Sequence, residues 1–386
     1  IPWVSFVIVP LVLLAMVVWP LSHSGLGHTA FEWLVSLAMS AAEWLMQLLS
    51  FLADKVNDFS TVLQPSWFGL GMAVIASVIL LLPRGLRLQA PAIVLMLPLL
   101  LPANPANANL FRLEVLDAGQ GTALLLQTRS HLLLYDSGPG SGPLSSHETQ
   151  AQPDHDTGTN EQTSYDLVDS VIHPAVLAQG FAKPDRIIIS HGDMDHAGGL
   201  ASLKKKYASV PVYASLRTPL PGVLPCNDEL EWNWQESRFR VLHPSPYLPY
   251  LGNDSSCVLE VDAGQFKTLL AGDISSRVEK RLAGRDLDIS RILLVPHHGS
   301  RSSSSPELLH ATVPELAIAT AGIGNRFDFP RDDVRRRYLE AGIRFLSTDQ
   351  CGAIRLEAEG DGPLALSSAR RVRAAPWRWP AGNQCP

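Results

Sequence analysis

Two rhythms of hydrophobicity divide this chain near residue 104. Upstream, residues 2–21, 67–82 and 88–101 form apolar runs. The first has the roughly 20 residues that a helix needs to cross a bilayer, and the other two need flanking residues to complete a crossing. Between them, residues 31–58 carry Glu32, Ser36, Ser40, Glu43, Gln47, Ser50 and Asp54 at spacings of three or four, with Leu34, Leu37, Ala41, Leu45, Leu48 and Leu52 opposite. That period predicts an amphipathic helix lying on a membrane or beside a bundle. Downstream the rhythm shortens. Residues 113–117, 123–127 and 132–136 read as a strand meander, and 166–181 as an amphipathic helix. Residues 186–189 form a β-branched burst typical of a buried strand. Residues 258–261 and 267–273 read as a hairpin, and 292–295 as another buried strand.

The resulting division is a membrane portion over 1–103, a linker over 104–110, an α/β domain over 111–360 and a basic tail over 361–386. Composition sharpens it. Across 386 residues, 46% hydrophobic and 18% charged is too apolar for a purely soluble protein, and the chain opens on Ile1 inside an apolar run. A C-terminal piece of a longer membrane protein is the expectation. Arg84 and Arg87 assign the link between the second and third spans to the cytoplasm. Glu32, Glu43, Asp54 and Asp58 against Lys55 suit the other side. Everything after 104 then lies outside the cytoplasmic membrane. There Cys226 and Cys257 are expected to pair. The net charge of −6 argues against a broadly basic nucleic-acid coat but leaves room for a local cationic groove.

The chemistry concentrates where strands end. Ser190-His191-Gly192-Asp193-Met194-Asp195-His196 follows a buried strand and packs two imidazoles and two carboxylates into six residues. Such a loop gathers nitrogen and oxygen donors around one point, as a divalent cation requires. Asp136 ends a strand where it can orient a metal-bound imidazole. Asp273 ends another, where a carboxylate would bridge two cations. His297-His298-Gly299-Ser300 repeats the logic after residues 292–295. Arg301 and the helix start at Pro306 suggest a phosphate cradle, and residues 276–279 suggest a capping box. His147, Asp154, His155 and Asp156 read as solvated loop residues. The run Arg370, Arg371, Arg373, Trp377, Arg378, Trp379 reads either as a nucleic-acid contact or as a disordered terminus.

Asp117-Ala-Gly-Gln-Gly121, the 191–196 loop, Gly272-Asp273 and His297-His-Gly-Ser300, in this order, resemble the metallo-β-lactamase fold. With apolar segments in front, the chain resembles the ComEC family of competence proteins, inner-membrane DNA-uptake channels. Asn253-Asp-Ser-Ser-Cys-Val258 and Asn325-Arg-Phe327 fit that pattern too. The resemblance implies a four-layer αββα sandwich preceded by transmembrane helices. It also implies a multi-pass inner-membrane protein with this domain on the extracytoplasmic side. Its partners would be single-stranded DNA, membrane lipid and other uptake-machinery proteins. Thr122 stands where many relatives carry Asp, and Phe329 where many have His.

As a nuclease acting on the non-transported strand, the domain would hold metal with His191, Asp193, Asp195, His196, Asp273 and His298. Asp117 and Asp136 would stand behind them. His297 and Asp195 would be catalytic, and Arg301, Ser300 and Gln120 would contact substrate. Asp193 adds a hard oxygen donor, which favours Mn²⁺ over Zn²⁺ without excluding zinc. Two other readings remain: a non-catalytic domain that guides DNA, and a membrane-tethered phosphodiesterase acting on envelope components.

Overall fold

The computed structural model describes residues 3–21, 25–58, 67–81, 88–100, 110–140, 166–285, 287, 289–360, 362–372 and 380–386. It separates into two compact units, Ile1–Leu63 and Gln64–Pro386.

In the first unit, helix Val4–Val18 and helix Gly25–Asp58 form a hairpin. Trp3 fastens it, donating from Nε1 to the Ala41 carbonyl at 3.1 Å and packing on Trp44 with ring centroids 5.1 Å apart. Small residues make the contact, since among the described residues of this unit Ala15 and Ala38 are the buried side chains. The large ones face outward, with Phe6 80% and Trp33 74% exposed. This differs from the sequence reading. The described helices in the expected spans, Val4–Val18, Trp67–Leu81 and Gln89–Leu95, are all short for a crossing. Among the described residues, the one helix long and apolar enough is Gly27–Phe51, the segment read as amphipathic. Its polar stripe includes Ser36, Ser40, Gln47 and Ser50, which raise the helical period without lowering the mean hydropathy enough to exclude a bilayer. Arg84 and Arg87 lie outside the described residues.

The second unit holds an αββα sandwich. Strands β1 (Leu110–Val115), β2 (Leu124–Thr128), β3 (His131–Tyr135), β4 (Arg186–Ile189), β5 (Val212–Ala214) and β6 (Leu224–Pro225) begin one sheet. The chain then lays down a second sheet complete: β7 (Glu231–Trp234), β8 (Ser237–His243), β9 (Val258–Ala263), β10 (Phe266–Leu270), β11 (Ile292–Leu294), β12 (Leu316–Ala319) and β13 (Arg344–Ser347). It finally returns to the first with β14 (Ile354–Glu359) and β15 (Ala365–Ser368). The first sheet runs β15-β14-β1-β2-β3-β4-β5-β6 and the second β13-β12-β11-β10-β9-β8-β7. Both are mixed: antiparallel pairing gives way to parallel at β3–β4 and at β10–β11.

The period-2 pattern explains the layers. Leu124, Leu126, Leu133, Tyr135 and Ile188 face the inter-sheet core, where Leu259, Val261, Leu270, Ile318 and Leu356 meet them. Their neighbours Leu125, Leu132, Leu134, Ile187 and Ile189 face the opposite way, onto the helical layer that includes Val168, Ile172, Leu200 and Leu203. On the far side, Leu269, Leu293, Ala317 and Phe345 meet the helices Ser276–Ala283, Pro306–Thr312 and Asp332–Glu340. Strands buried on both faces read as continuous apolar runs, which is how residues 186–189 and 292–294 look in the sequence.

The expected domain end at 360 moves outward, because β15 pairs with β14 beyond it. The C-terminal residues fold back: Ser368 donates to the Pro386 carbonyl at 2.8 Å, and Cys385 is bonded to Cys351. Of the basic aromatic run, Arg373, Trp377, Arg378 and Trp379 lie outside the described residues, as do His147, Asp154, His155 and Asp156. The capping box is also corrected. Ser275 precedes the helix, and the Glu279 side chain crosses to the backbone of Ser304 and Ser305 instead. Cys226 and Cys257 form a disulfide with Cα atoms 6.0 Å apart.

Candidate metal centre

The donors sit where each sheet turns from antiparallel to parallel. After β4 the chain enters the loop with His191, Asp193, Asp195 and His196, and after β11 it enters the His297–His298 turn. Asp273 follows β10, which lies beside β11. Gly272 makes that turn possible: its φ is +56°, and a Cβ there would stand 2.7 Å from the Ser256 Cβ. His297 and His298 are themselves left-handed, with φ of 50° and 55°. Non-glycine residues in this region cost about 1–3 kcal/mol each and concentrate at functional sites.

Asp195, His196, Asp273 and His298 offer one ligand atom each, all within 4.8 Å of one another. His196 Nε2 lies 3.1 Å from Asp273 Oδ1, and His298 Nε2 lies 3.2 Å from Asp195 Oδ2. The two Nε2 atoms are 3.2 Å apart. Their partners fix the tautomers. His196 Nδ1 donates to Asp136 Oδ2 at 2.7 Å, and His298 Nδ1 donates to the Thr320 carbonyl at 2.9 Å. With Nδ1 carrying the proton, each neutral ring turns a lone pair toward the other and toward two carboxylates. That arrangement needs positive charge at its centre, from protons or from a cation.

The protonation shifts express the same demand. Burial alone would lower His196, but the charges of Asp273 and Asp136 overcome it and hold the imidazole well above its ordinary range. His298 is raised against burial by Asp273 and Asp195. Burial would raise Asp273, yet His196 and His298 hold it well below the usual carboxylate range. Asp195, despite burial, is pulled to about 2 by its bond to His298 and the charge of His196. A bound cation would substitute for those protons.

His191 and Asp193 stand beside the four. The His191 ring lies 4.3 Å from that of His196, and its Nε2 lies 3.6 Å from Asp193 Oδ2. That nitrogen is buried and has no hydrogen-bond partner among the described residues. An orphaned, desolvated imidazole nitrogen in a site of carboxylates fits a metal ligand. His297 stays outside the cluster. It is 24% exposed, with Nε2 accepting from Asn253 Nδ2 at 3.2 Å and lying 3.8 Å from Asp273 Oδ2. Burial lowers its pKa, against the pull of Asp273, so the neutral ring is favoured.

The supporting residues are mostly small and polar. Asp136 is fully buried at φ 60° and accepts from Ser190 N at 2.6 Å, Ser190 Oγ at 2.8 Å and His196. Ser256 Oγ accepts from Asp273 N at 3.0 Å and lies 3.4 Å from His191 Nδ1. Thr122 Oγ1 contacts Thr320 Oγ1 at 2.8 Å, which in turn sits 2.9 Å from His298 Nδ1. Sequence reasoning passed over Ser190, Ser256 and Thr320. Hydroxyls in strand-end loops are common; Ser190 and Ser256 lay within quoted motifs without a role, and nothing marked Thr320.

The other expected residues meet the following partners. Asp117 is 38% exposed and accepts from Arg370 at 3.2 Å, because the returning C-terminal segment presents a guanidinium to it. Arg301 and the helix at Pro306 do not form an open cradle. Arg301 pairs with Asp333 at 3.1 Å, and buried Glu279 already takes the amides of Ser304 and Ser305 at 2.7 and 2.6 Å. Gln120 turns its Oε1 to the Gly322 amide at 3.4 Å. Ser300 pairs with Ser302 at 3.0 Å. Phe329 stacks on His298 with ring centroids 6.4 Å apart and contributes no donor.

Residues 116–320 match the Metallo-beta-lactamase superfamily. Competence protein ComA of Neisseria gonorrhoeae is 33% identical over 98% of this chain and 49% of its own length. ComE operon protein 3 of Bacillus subtilis is 26% identical over 92% of this chain and 47% of its own. Recombination protein 2 of Haemophilus influenzae is 29% identical over 69% of this chain and 31% of its own. The chain thus spans half or less of these relatives. Joined to a sandwich whose strand ends collect three imidazoles and three carboxylates, these matches identify the chain as a member of the metallo-β-lactamase superfamily and, within it, of the ComEC family of competence proteins.

Proposed function

We propose that this chain belongs to a multi-pass inner-membrane DNA-uptake protein and that its sandwich is an extracytoplasmic, metal-dependent phosphodiesterase. Its substrate would be the DNA strand that is not transported. The observation that carries the reading is the convergence of Asp195, His196, Asp273 and His298 within 4.8 Å, beside the orphaned Nε2 of His191. Those five, with Asp193, would hold divalent metal, Mn²⁺ or Zn²⁺. When bound, it would offset phosphate charge and make water more acidic. The residues do the rest. Asp136 and Thr320 fix the imidazoles of His196 and His298 before substrate arrives. Asp195, an anion throughout the neutral range and 33% exposed, orients the attacking water by accepting its hydrogen bond. His297, neutral at rest, would take up at Nε2 the proton that the attacking water releases and pass it to the leaving oxygen as its bond to phosphorus breaks.

Membrane attachment rests on the outward-facing apolar side chains of the N-terminal hairpin, a surface that water does not favour and lipid would cover. Lipid and other proteins of the uptake machinery are the partners this reading requires. A second reading, a domain that guides DNA without cutting it, is favoured by Phe329, which brings a ring without a donor up to His298.

The deciding assay incubates the purified chain with single-stranded DNA and Mn²⁺ or Zn²⁺, beside an Asp273→Asn variant. Cleavage by the parent and a loss of about 100-fold or more in the variant support hydrolysis. No metal-dependent cleavage by the parent refutes it. Transformation that survives Asp273→Asn then selects the guiding role.

A further inference from the structure

Beside the metal cluster stands a row of parallel rings that the proposed hydrolysis does not use. Phe327 stacks on Phe329 at 5.5 Å with planes 18° apart, and Phe329 stacks on His298 at 6.4 Å with planes 19° apart. The row therefore leads from a metal-cluster imidazole to the surface, where Phe327 is 39% exposed. Guanidinium groups line it: Arg326 lies over the Phe327 ring at 4.7 Å, and Arg331, paired with Asp328 at 3.2 Å, lies over the Phe329 ring at 5.8 Å.

The loop is held in place. Asn325 Nδ2 donates to the carbonyls of Gly322 and Phe329 at 3.0 and 2.7 Å, while its Oδ1 accepts from Phe329 N at 2.9 Å. Arg331 N donates to the Gly299 carbonyl at 3.0 Å, tying the loop to the His297–His298 turn. Pro330 seats directly on Gly299, where a Cβ would stand 2.6 Å from the Pro330 Cβ. Phe329 is taken up on its two faces by Phe327 and His298, so the outer face of Phe327 remains, where the Arg326 guanidinium lies over the ring at 4.7 Å; an unpaired nucleobase would take that place, with Arg326 turning to its phosphate. A paired base has no free face to offer.

The geometry points to Phe327, backed by Phe329, as a stacking subsite for a base of single-stranded nucleic acid, with Arg326 and Arg331 meeting the backbone. This rests on the nucleic-acid reading of the neighbouring site, but it concerns binding rather than cutting. The full chain is titrated in EDTA, where no cleavage occurs, with a short oligothymidylate and with an abasic oligomer of equal length. The parent is expected to prefer the base-bearing strand by about 5-fold to 100-fold. Phe327→Ala should bring the two affinities together and Phe327→Trp should restore the difference.

A preference that survives Phe327→Ala overturns the subsite, as does equal binding of both oligomers, or of neither, by the parent. If the preference behaves as expected while metal-loaded parent cleaves nothing, the subsite stands and the hydrolytic reading falls.

Discussion

Replacing Asp136 with Asn tests the architecture behind the metal cluster while leaving every proposed ligand in place. Asp136 and His196 are both fully buried and meet at 2.7 Å. The carboxylate also receives two bonds from Ser190. Asn tolerates the positive φ that Asp136 adopts at 60°, so the backbone has no reason to move. What changes is charge and count. Three donors converge on Asp136, and an amide that is half donor cannot receive them all. One charge-assisted bond is lost, and a buried donor is left facing another. Bonds to charged groups contribute about 1.5–3 kcal/mol, which corresponds to roughly 10-fold to 150-fold in an equilibrium constant. Loss of a partner that orients a metal-bound imidazole costs about 10–100-fold in affinity, so the two estimates agree. The measurement is a competition titration of Mn²⁺ and Zn²⁺ against a chromophoric chelator, with urea unfolding in parallel to separate affinity from stability. An affinity within about threefold of the parent would show that Asp136 does not position His196 for metal.

Three further outcomes are expected. Cys226→Ser with Cys257→Ser opens a cross-link of sequence separation 31 and should cost about 3–4 kcal/mol in chemical unfolding under oxidising conditions; no cost would mean the bridge does not constrain the unfolded chain. His243 is buried, donates to the Asp254 carbonyl at 2.7 Å, and has its pKa lowered by burial. As pH falls below about 6.5 the unfolded chain takes up this proton first. Stability should therefore decline on acidification through the folded value, and His243→Gln should remove that part of the slope. Equal slopes in the two proteins would refute it. Phe329→His places an imidazole where a ring already stacks on His298, and metal titration should show tighter binding or an additional equivalent; an unchanged isotherm would mean that this ring points away from the ligands.

The layers were legible because both faces of the central strands are buried. Runs such as residues 186–189 and 292–294 admit few other readings, and the loops after them announced their donors by composition. What the sequence hid was pairing across long distances. Nothing local says that Arg370 meets Asp117, that Glu279 fills the amides before Pro306, or that residues beyond 360 add a strand. Those contacts depend on which end of the sheet the returning chain reaches. The helical period of residues 31–58 leaves open whether the helix lies on a membrane or crosses it. Ser and Gln produce a polar stripe as surely as charges do, but the cost of taking them into lipid is far smaller.

The first sheet cannot be completed in the order in which it is synthesised. β1 lies between β2 and β14, and Arg112 meets Glu357 across a sequence separation of 245. An entire second sheet must be made, and its edge strands kept from wrong partners, before the first is closed. Such long-range pairing folds slowly. The donors for metal come from both sheets, so a partly emerged domain possesses only fragments of a centre. A chain delivered across a membrane segment by segment would arrive with its reactive chemistry unassembled. The site would come into being only after the last long-range strand had found its place.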